Sequence, residues 1–249
     1  MPKFFVKEEA IQNQQIEIKG KDVNHIKNVL RKKAGDEIIL CNIDTAKDYR
    51  CKITQIEEDV ILTNITEELD TNTEAKVEVS IYQGLPKADK MELVIQKAVE
   101  LGVHDITPIE MKYCVVKLDD KDKRKKQERW QKIAEVAAKQ SGRNQIPTIN
   151  DIISVKNICN LCPKYDIVLV AYEKEEKNKL KQELEKLKTK ENNENLKIAI
   201  VIGPEGGIDE AEIELLRKNG AKVVTLGKRI LRTETVALQM LSVIMYEFE

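Results

Sequence analysis

The sequence predicts an α/β protein in which a parallel-sheet domain follows a smaller β-rich one. Two observations carry this. Beyond residue 76, short apolar runs alternate with segments of helical periodicity: Val77, Val79 and Ile81, then Met91, Val94, Ile95 and Ala98, then Val103 to Ile109. That is the pattern of βαβ units, which build parallel sheets. Upstream, Glu37 to Ile43, Tyr49 to Ile56 and Val60 to Ile65 read as regularly spaced strands after a Gly35-Asp36 turn, and such spacing suggests a small barrel or sandwich. The polar stretch Leu69 to Glu74 is the expected linker and sets the domains at 1–72 and 73–249.

Each element has its local reason. Asp22 is placed to cap a helix carrying Val23, Ile26, Val29 and Leu30 on one face. In the larger domain a helix is expected from Ala88 to Leu101 and ends at Gly102. The charged run Lys117 to Arg129 reads as solvated and leads into a helix from Trp130 to Gln140, with Ile133, Val136 and Ala137 inward. Ser141-Gly142-Arg143 closes it, and Pro147 prevents its continuation. Asp166 to Ala171 reads as a buried strand. Lys174 to Asn195, almost wholly polar, reads as an exposed helix with a loose tail.

The C-terminal quarter is the most informative. Ile198 to Ile202 is a buried-type strand broken by Gly203-Pro204-Glu205-Gly206-Gly207. Asp209 caps the helix that follows, and Gly220 lies past its end. Val223 to Leu226 is a second strand, the loop KRILRTE follows Gly227, and an apolar helix runs from about Thr235 to Tyr246. Each loop sits at the carboxyl end of a strand, where open α/β sheets bind ligands.

Bulk properties narrow the function classes. With 249 residues, 41% hydrophobic and 34% charged, the chain reads as a well-solvated globular protein. No apolar run approaches the ~20 residues that span a bilayer, so no membrane partner is expected. The start MPKFFVKEEA lacks the apolar region of a signal peptide, and a cytoplasmic location is expected. Five cysteines, an odd number with one lone CxxC at Cys159 and Cys162, point to ordinary thiols and no metal. A net charge of −1 gives no overall basic footprint, but residues 217–232 hold six basic side chains and no acidic one. Such a cluster can meet phosphates if part of it lines one face. Both GxGxxG and GxxxxGK[ST] are absent, which disfavours a nicotinamide oxidoreductase and a phosphate cradle. His25 and His104 lie outside the suspected ligand loops.

GPEGG followed by LGKRILRTETVAL resembles the C-terminal signature of the RsmE family. KADKMELVIQKAVELGVHDITPI and RWQKIAEVAAKQSGR resemble it too, so the likeness covers most of residues 76–249. One departure is Val236, where small residues are common in the family. The resemblance implies a knotted SPOUT-class methyltransferase domain behind a PUA-like RNA-binding barrel, acting as a homodimer. It implies S-adenosylmethionine as cofactor, uridine N3 of 16S ribosomal RNA as target, and small-subunit rRNA or the 30S particle as partner. Three loops would hold the cofactor. The first contributes Val170, Ala171 and Tyr172, with Glu173 beside them; the second Ile202, Gly203, Gly206 and Gly207; the third Leu226, Gly227, Ile230, Leu231 and Thr233.

Methyl transfer from a sulfonium chiefly needs alignment, but uridine N3 is a poor nucleophile until its proton is lost. Glu205 and Glu234 are the candidate bases and Arg232 the candidate electrostatic partner; Glu234 as a helix cap and Arg232 as a simple ion-pair partner remain open. Lys87, Lys90, Gln140, Arg143 and Arg229 are candidates for RNA contacts. Two alternatives stand beside this: a SPOUT RNA methyltransferase with another target nucleoside, and a non-catalytic RNA-binding assembly factor.

Overall fold

A computed structural model describes residues 3–189 and 195–248. The chain divides into two compact units, Met1–Glu74 with Ala138–Ile146, and Ala75–Ala137 with Pro147–Glu249. A single cut near residue 72 would put Ala138–Ile146 in the wrong unit.

The first unit contains β1 (Lys3–Val6), β2 (Ile11–Gln12), β3 (Gln15–Lys19), α1 (Lys21–Asn24), β4 (Glu37–Asn42), β5 (Lys47–Ile56) and β6 (Val60–Leu69). They form one curled sheet in the order β1-β4-β5-β6-β3-β2. Alternation along the strands sends Ile16, Ile18, Ile38, Leu40, Ile53 and Ile61 into a common core. The helix differs from expectation. Gly20, at φ +76°, holds the cap position without a side-chain bond, and the Asp22 carboxylate instead accepts from Lys139 Nζ at 3.1 Å. After α1 the chain widens into a π-turn over His25–Val29. That wider turn breaks the 3.6-residue repeat and leaves Val29 65% exposed.

Arg143 also belongs to this unit, and here the structure overturns its assignment to RNA. Its guanidinium is buried and paired with Glu74, with Nε donating at 3.1 Å. Burial pushes the Glu74 carboxyl up, but Arg143 and the N–H groups of Asn144 and Gln145 outweigh it and hold the carboxyl below its ordinary value. A cation so engaged has no free face for phosphate. Gln140 is exposed, on the same short stretch.

The second unit runs β7 (Glu78–Gly84), α2 (Lys90–Glu100), β8 (Asp105–Glu110), α3 (Asp120–Ser141), β9 (Thr148–Ile149), β10 (Ile153–Ser154), α4 (Val155–Leu161), β11 (Ile167–Ala171), α5 (Leu180–Lys188), β12 (Lys197–Ile202), α6 (Glu210–Lys218), β13 (Lys222–Val224) and α7 (Thr233–Phe248). The last residues of α3 group with the first unit. The sheet is parallel throughout, in the order β10-β8-β7-β12-β11-β13, with β9 beside β8. Its central strands are buried on both faces: Ile198 to Val201 are fully covered.

Three helices depart from the reading of the sequence. α2 begins at Lys90 rather than Ala88, because Ala88 takes φ +51°, outside the helical region. α3 starts at Asp120, so much of the charged run is helical, and its inward face is Trp130, Ala134, Ala137 and Ala138. Val136 points outward at 64% exposure, because Trp130 sets the i, i+4, i+7, i+8 stripe. α5 is amphipathic rather than simply exposed, burying Leu180, Leu184 and Leu187; the tail expected at 190–194 lies outside the described residues. α7 packs against α2, β7 and β12.

Candidate active site

β7, β12, β11 and β13 are successive neighbours, so the carboxyl ends of the last three open along one edge of the sheet. The segments that follow them converge there on a cleft of about 520 Å³.

After β12, Gly203 and Pro204 turn the chain sharply. A Cβ on Gly203 would lie 2.7 Å from Ile208 Cγ1, and one on Gly206 would lie 2.9 Å from Tyr113 Cβ. Gly207 takes φ +75°, and its added Cβ would meet Glu173 Oε1 at 2.7 Å. Glycine is therefore required at this turn by close approach as well as by backbone angle. The turn leads into α6, capped by Asp209, whose Oδ1 accepts from the N–H of Ala211. The other oxygen accepts from Lys112 Nζ at 2.7 Å and from the Tyr113 hydroxyl at 2.9 Å. Lys112 and Tyr113 together hold the Asp209 carboxyl below its ordinary value. The pair fixes Tyr113 where it flanks Gly206.

The start of α7 is tied to two strand ends by a buried polar chain. Gln83 Nε2 at the end of β7 donates to Thr233 Oγ1 (2.8 Å), and that hydroxyl donates to the carbonyl of Gly203 (2.6 Å). Gln83 and Thr233 are both buried, so each bond is worth more to the fold than an exposed one.

Charge is concentrated at one corner. Lys90 Nζ lies 3.0 Å from Glu205 Oε1 and 3.4 Å from Glu234 Oε2. Glu205 also accepts from the backbone N–H of Lys87 at 3.0 Å, so its carboxylate fastens the turn before α2 to the glycine loop. Burial raises the Glu205 carboxyl, but Lys90 and backbone N–H donors outweigh it and leave it below its ordinary value. The same hydrogen bond raises the Lys90 ammonium. Glu234 Oε2 is buried, and at 3.4 Å Lys90 is a longer and weaker partner for it than for Glu205. Arg232 is exposed at the cleft and pairs with no carboxylate among the described residues.

Almost all residues expected at the cofactor site line this cleft. Ala171 and Tyr172 come from the end of β11, and Ile202, Gly203, Gly206 and Gly207 from the glycine turn. Leu226, Gly227, Ile230, Leu231 and Thr233 come from the segment between β13 and α7. Glu205, Arg232, Arg229 and Lys90 line it as well. Val170 does not; it is fully buried within the sheet, because β11 is covered on both faces. Glu234 stands just behind the wall, reaching it through Lys90. Lys87 is exposed and contributes its backbone N–H.

Reading the sequence passed over Gln83 and Tyr113 as site residues. Gln83 carried a signal, a polar side chain at the end of an otherwise buried strand. Tyr113 carried none, because only the fold brings it beside Gly206.

Comparison with known proteins fits this geometry. The family described as RNA methyltransferase domain matches residues 73–245, and the RNA methyltransferase PUA domain matches residues 18–64. Ribosomal RNA small subunit methyltransferase E of Bacillus subtilis is 39% identical, over 100% of this chain and 98% of the relative. The chain belongs to the ribosomal RNA small subunit methyltransferase E family. A crystal structure of a methyltransferase E from Neisseria gonorrhoeae bound to S-adenosyl methionine superposes with a TM-score of 0.85. It is 30% identical, with 99% of this chain and 97% of that one covered. A methyltransferase from Legionella pneumophila in complex with the same cofactor gives 0.85 at 30% identity, covering 98% and 96%. The PUA match agrees with the curled sheet of the first unit, and the methyltransferase E fold with the parallel sheet of the second.

Proposed function

We propose that this chain transfers a methyl group from S-adenosylmethionine to N3 of a uridine in small-subunit ribosomal RNA. The observation that carries the reading is the cleft itself, with glycine turns on one side, apolar walls on the other and, at its mouth, an arginine not ion-paired among the described residues. The residues present suit the cofactor. Ile202, Ile208, Leu226 and Leu231 offer apolar surface to an adenosine, and the irregular backbone of residues 226–231 has N–H and C=O groups outside any strand or helix. Tyr172 has a buried hydroxyl with no partner among the described residues, a polar group that a ligand in the cleft can satisfy. No phosphate is part of this cofactor, which agrees with the missing phosphate-binding fingerprints.

The cofactor supplies an activated methyl on a sulfonium, so the protein's work is alignment and charge. Arg232 faces the cleft with its charge uncompensated and stabilises the anion formed as N3 loses its proton. Glu205, held below the ordinary carboxylate range and bonded on both oxygens, is a poor proton acceptor and serves as a clamp. Glu234, its Oε2 buried behind the cleft wall beside Lys90, acts through Lys90 and not directly on the substrate. Lys90 holds the two carboxylates at one corner of the cleft.

The homodimer is part of the proposal. Val236, Leu238 and Val243 on α7 remain half-exposed in the single chain and Tyr246 is 88% exposed, a surface suited to a second subunit. So is the trefoil knot, for the chain leaves β13 at the sheet edge and returns past the ends of β11 and β12 to begin α7 beside β7. The expected place of action is the cytoplasm; no helix among the described residues is long and apolar enough to cross a membrane.

The test is methyl transfer from labelled S-adenosylmethionine to small subunits from cells lacking the gene, followed by mass spectrometry of digested RNA. N3-methyluridine formed only with the protein is the expected result. Another methylated nucleoside would overturn the target while keeping the reaction class. Cofactor binding without any transfer would favour an assembly factor.

A further inference from the structure

Ile230 is 90% exposed, the highest value among the exposed large hydrophobic residues of the described chain. It stands at the rim of the cleft, in the segment joining β13 to α7. Lys228 and Arg229 precede it and Arg232 follows, and all three are exposed. None of the three pairs with a carboxylate among the described residues, although the protein carries 43 acidic side chains against 42 basic ones. An uncovered branched apolar side chain amid uncompensated cations is an unusual surface. Water solvates the cations but not the isoleucine, so the segment suits a ligand that is anionic along one edge and apolar on its faces. Unstacked nucleotides have that chemistry: phosphates outside, base faces inside. A protein partner would need three carboxylates in register with its apolar contact, whereas RNA offers a charge at every nucleotide.

The reaction itself demands such a device. N3 lies on the pairing edge of uracil, so a paired or stacked target must leave its helix before the cleft can reach it. Turning out a nucleotide costs a few kcal/mol, and proteins that do so commonly insert an apolar side chain into the gap. We infer that Ile230 is a positioning residue that fills the stacking gap left when the target nucleotide turns into the cleft, while Lys228 and Arg229 hold the flanking phosphates. The inference rests on reading the cleft as an RNA-methylating site.

The experiment compares the wild-type chain with Ile230→Ser and Ile230→Leu in methyl transfer to small subunits lacking the modification. It measures KM for subunits and for S-adenosylmethionine separately. Calorimetry gives the cofactor affinity of each protein, and sedimentation gives its mass. Ile230→Ser should lose about 10- to 100-fold in kcat/KM for subunits, the equivalent of forfeiting a stacking wedge. Its cofactor affinity should fall far less than its kcat/KM for subunits, because a side chain 90% exposed offers a ligand inside the cleft little contact. Ile230→Leu should recover most of the loss, because what matters is an apolar body of similar size. Unchanged kcat/KM in Ile230→Ser would overturn the inference. A parallel loss of cofactor affinity would make Ile230 a cofactor wall instead, and a halved mass would make it a subunit contact; either sinks the wedge. If wild type itself methylates nothing, the proposed function fails first and the wedge with it, an outcome distinct from an active wild type with an equally active Ile230→Ser.

Discussion

Lys90 shows how one side chain's neighbours decide its work. As a cation near a suspected RNA site it reads as a phosphate contact, yet its ammonium is engaged by Glu205 at 3.0 Å and faces Glu234 at 3.4 Å. Lys90→Met should therefore lower kcat by about 10- to 100-fold through loss of preorganised charge, while RNA binding keeps its dependence on salt. Single-turnover rates alongside filter binding at several salt concentrations check this; a flattened salt dependence with normal kcat would return Lys90 to the phosphate-contact role. Arg143 behaves in the same way. Its side chain is 7% exposed and pairs with a Glu74 side chain 15% exposed, so Arg143→Met strands a buried carboxylate and should cost about 3–5 kcal/mol in urea unfolding. The pH dependence follows from Glu74. Its carboxyl is lowered on folding, so the stabilisation is complete above the ordinary carboxylate range and is lost as pH falls through the folded value. The stability gap between wild type and Glu74→Gln should accordingly be widest near neutrality and close in acid.

At the scale of elements, the site depends on how the glycine turn and the start of α7 are fixed to strand ends. Gly203→Ala places a Cβ 2.7 Å from Ile208 and 3.0 Å from the Gly207 carbonyl carbon, and neither neighbour can swing aside freely. The substitution should cost about 1–3 kcal/mol as an overpacked site does, and weaken cofactor affinity by about tenfold or more. Thermal unfolding and calorimetry read the two effects separately. Thr233→Val removes the hydroxyl that receives Gln83 and donates to the Gly203 carbonyl, taking that donor from the carbonyl and leaving Gln83 Nε2 only its bond to the Gly84 carbonyl in a buried place. A loss of about 1–3 kcal/mol is expected. Much of this arrangement was legible beforehand: GPEGG and Asp209 announced a tight strand-to-helix turn, and that turn is present. The Gln83–Thr233 link was not legible, because its partners are separated by 150 positions and only the parallel pairing of β7 with β12 brings them together.

Considered as a whole, the molecule has almost no net charge, so its attraction for RNA must come from where its cations sit. The segment from Lys228 to Arg232 concentrates them beside the cleft, and none of them is ion-paired with a carboxylate among the described residues. Subunit binding should weaken steeply with salt, and Arg229→Ala should reduce the slope of log affinity against log salt by about one. Titrations at three or more salt concentrations measure that slope; an unchanged value would place Arg229 away from the phosphates.

The sequence by itself determined the α/β class, the strands β4 to β8 and β11 to β13, the glycine turn, the capped α6 and the loops that close the cleft. Those features rest on short-range physics, namely apolar periodicity, backbone freedom at glycine and capping chemistry, all written into neighbouring residues. Tertiary structure alone decided that Arg143 is buried with Glu74, that Lys90 serves two carboxylates and that Val136 faces out. It also decided that Ala138–Ile146 joins the first unit and that Ile230 is left uncovered beside unpaired cations. The physical reason is common to all of them. A side chain's charge and shape are local, but whether it is covered, paired or free depends on partners that the fold draws from distant parts of the chain.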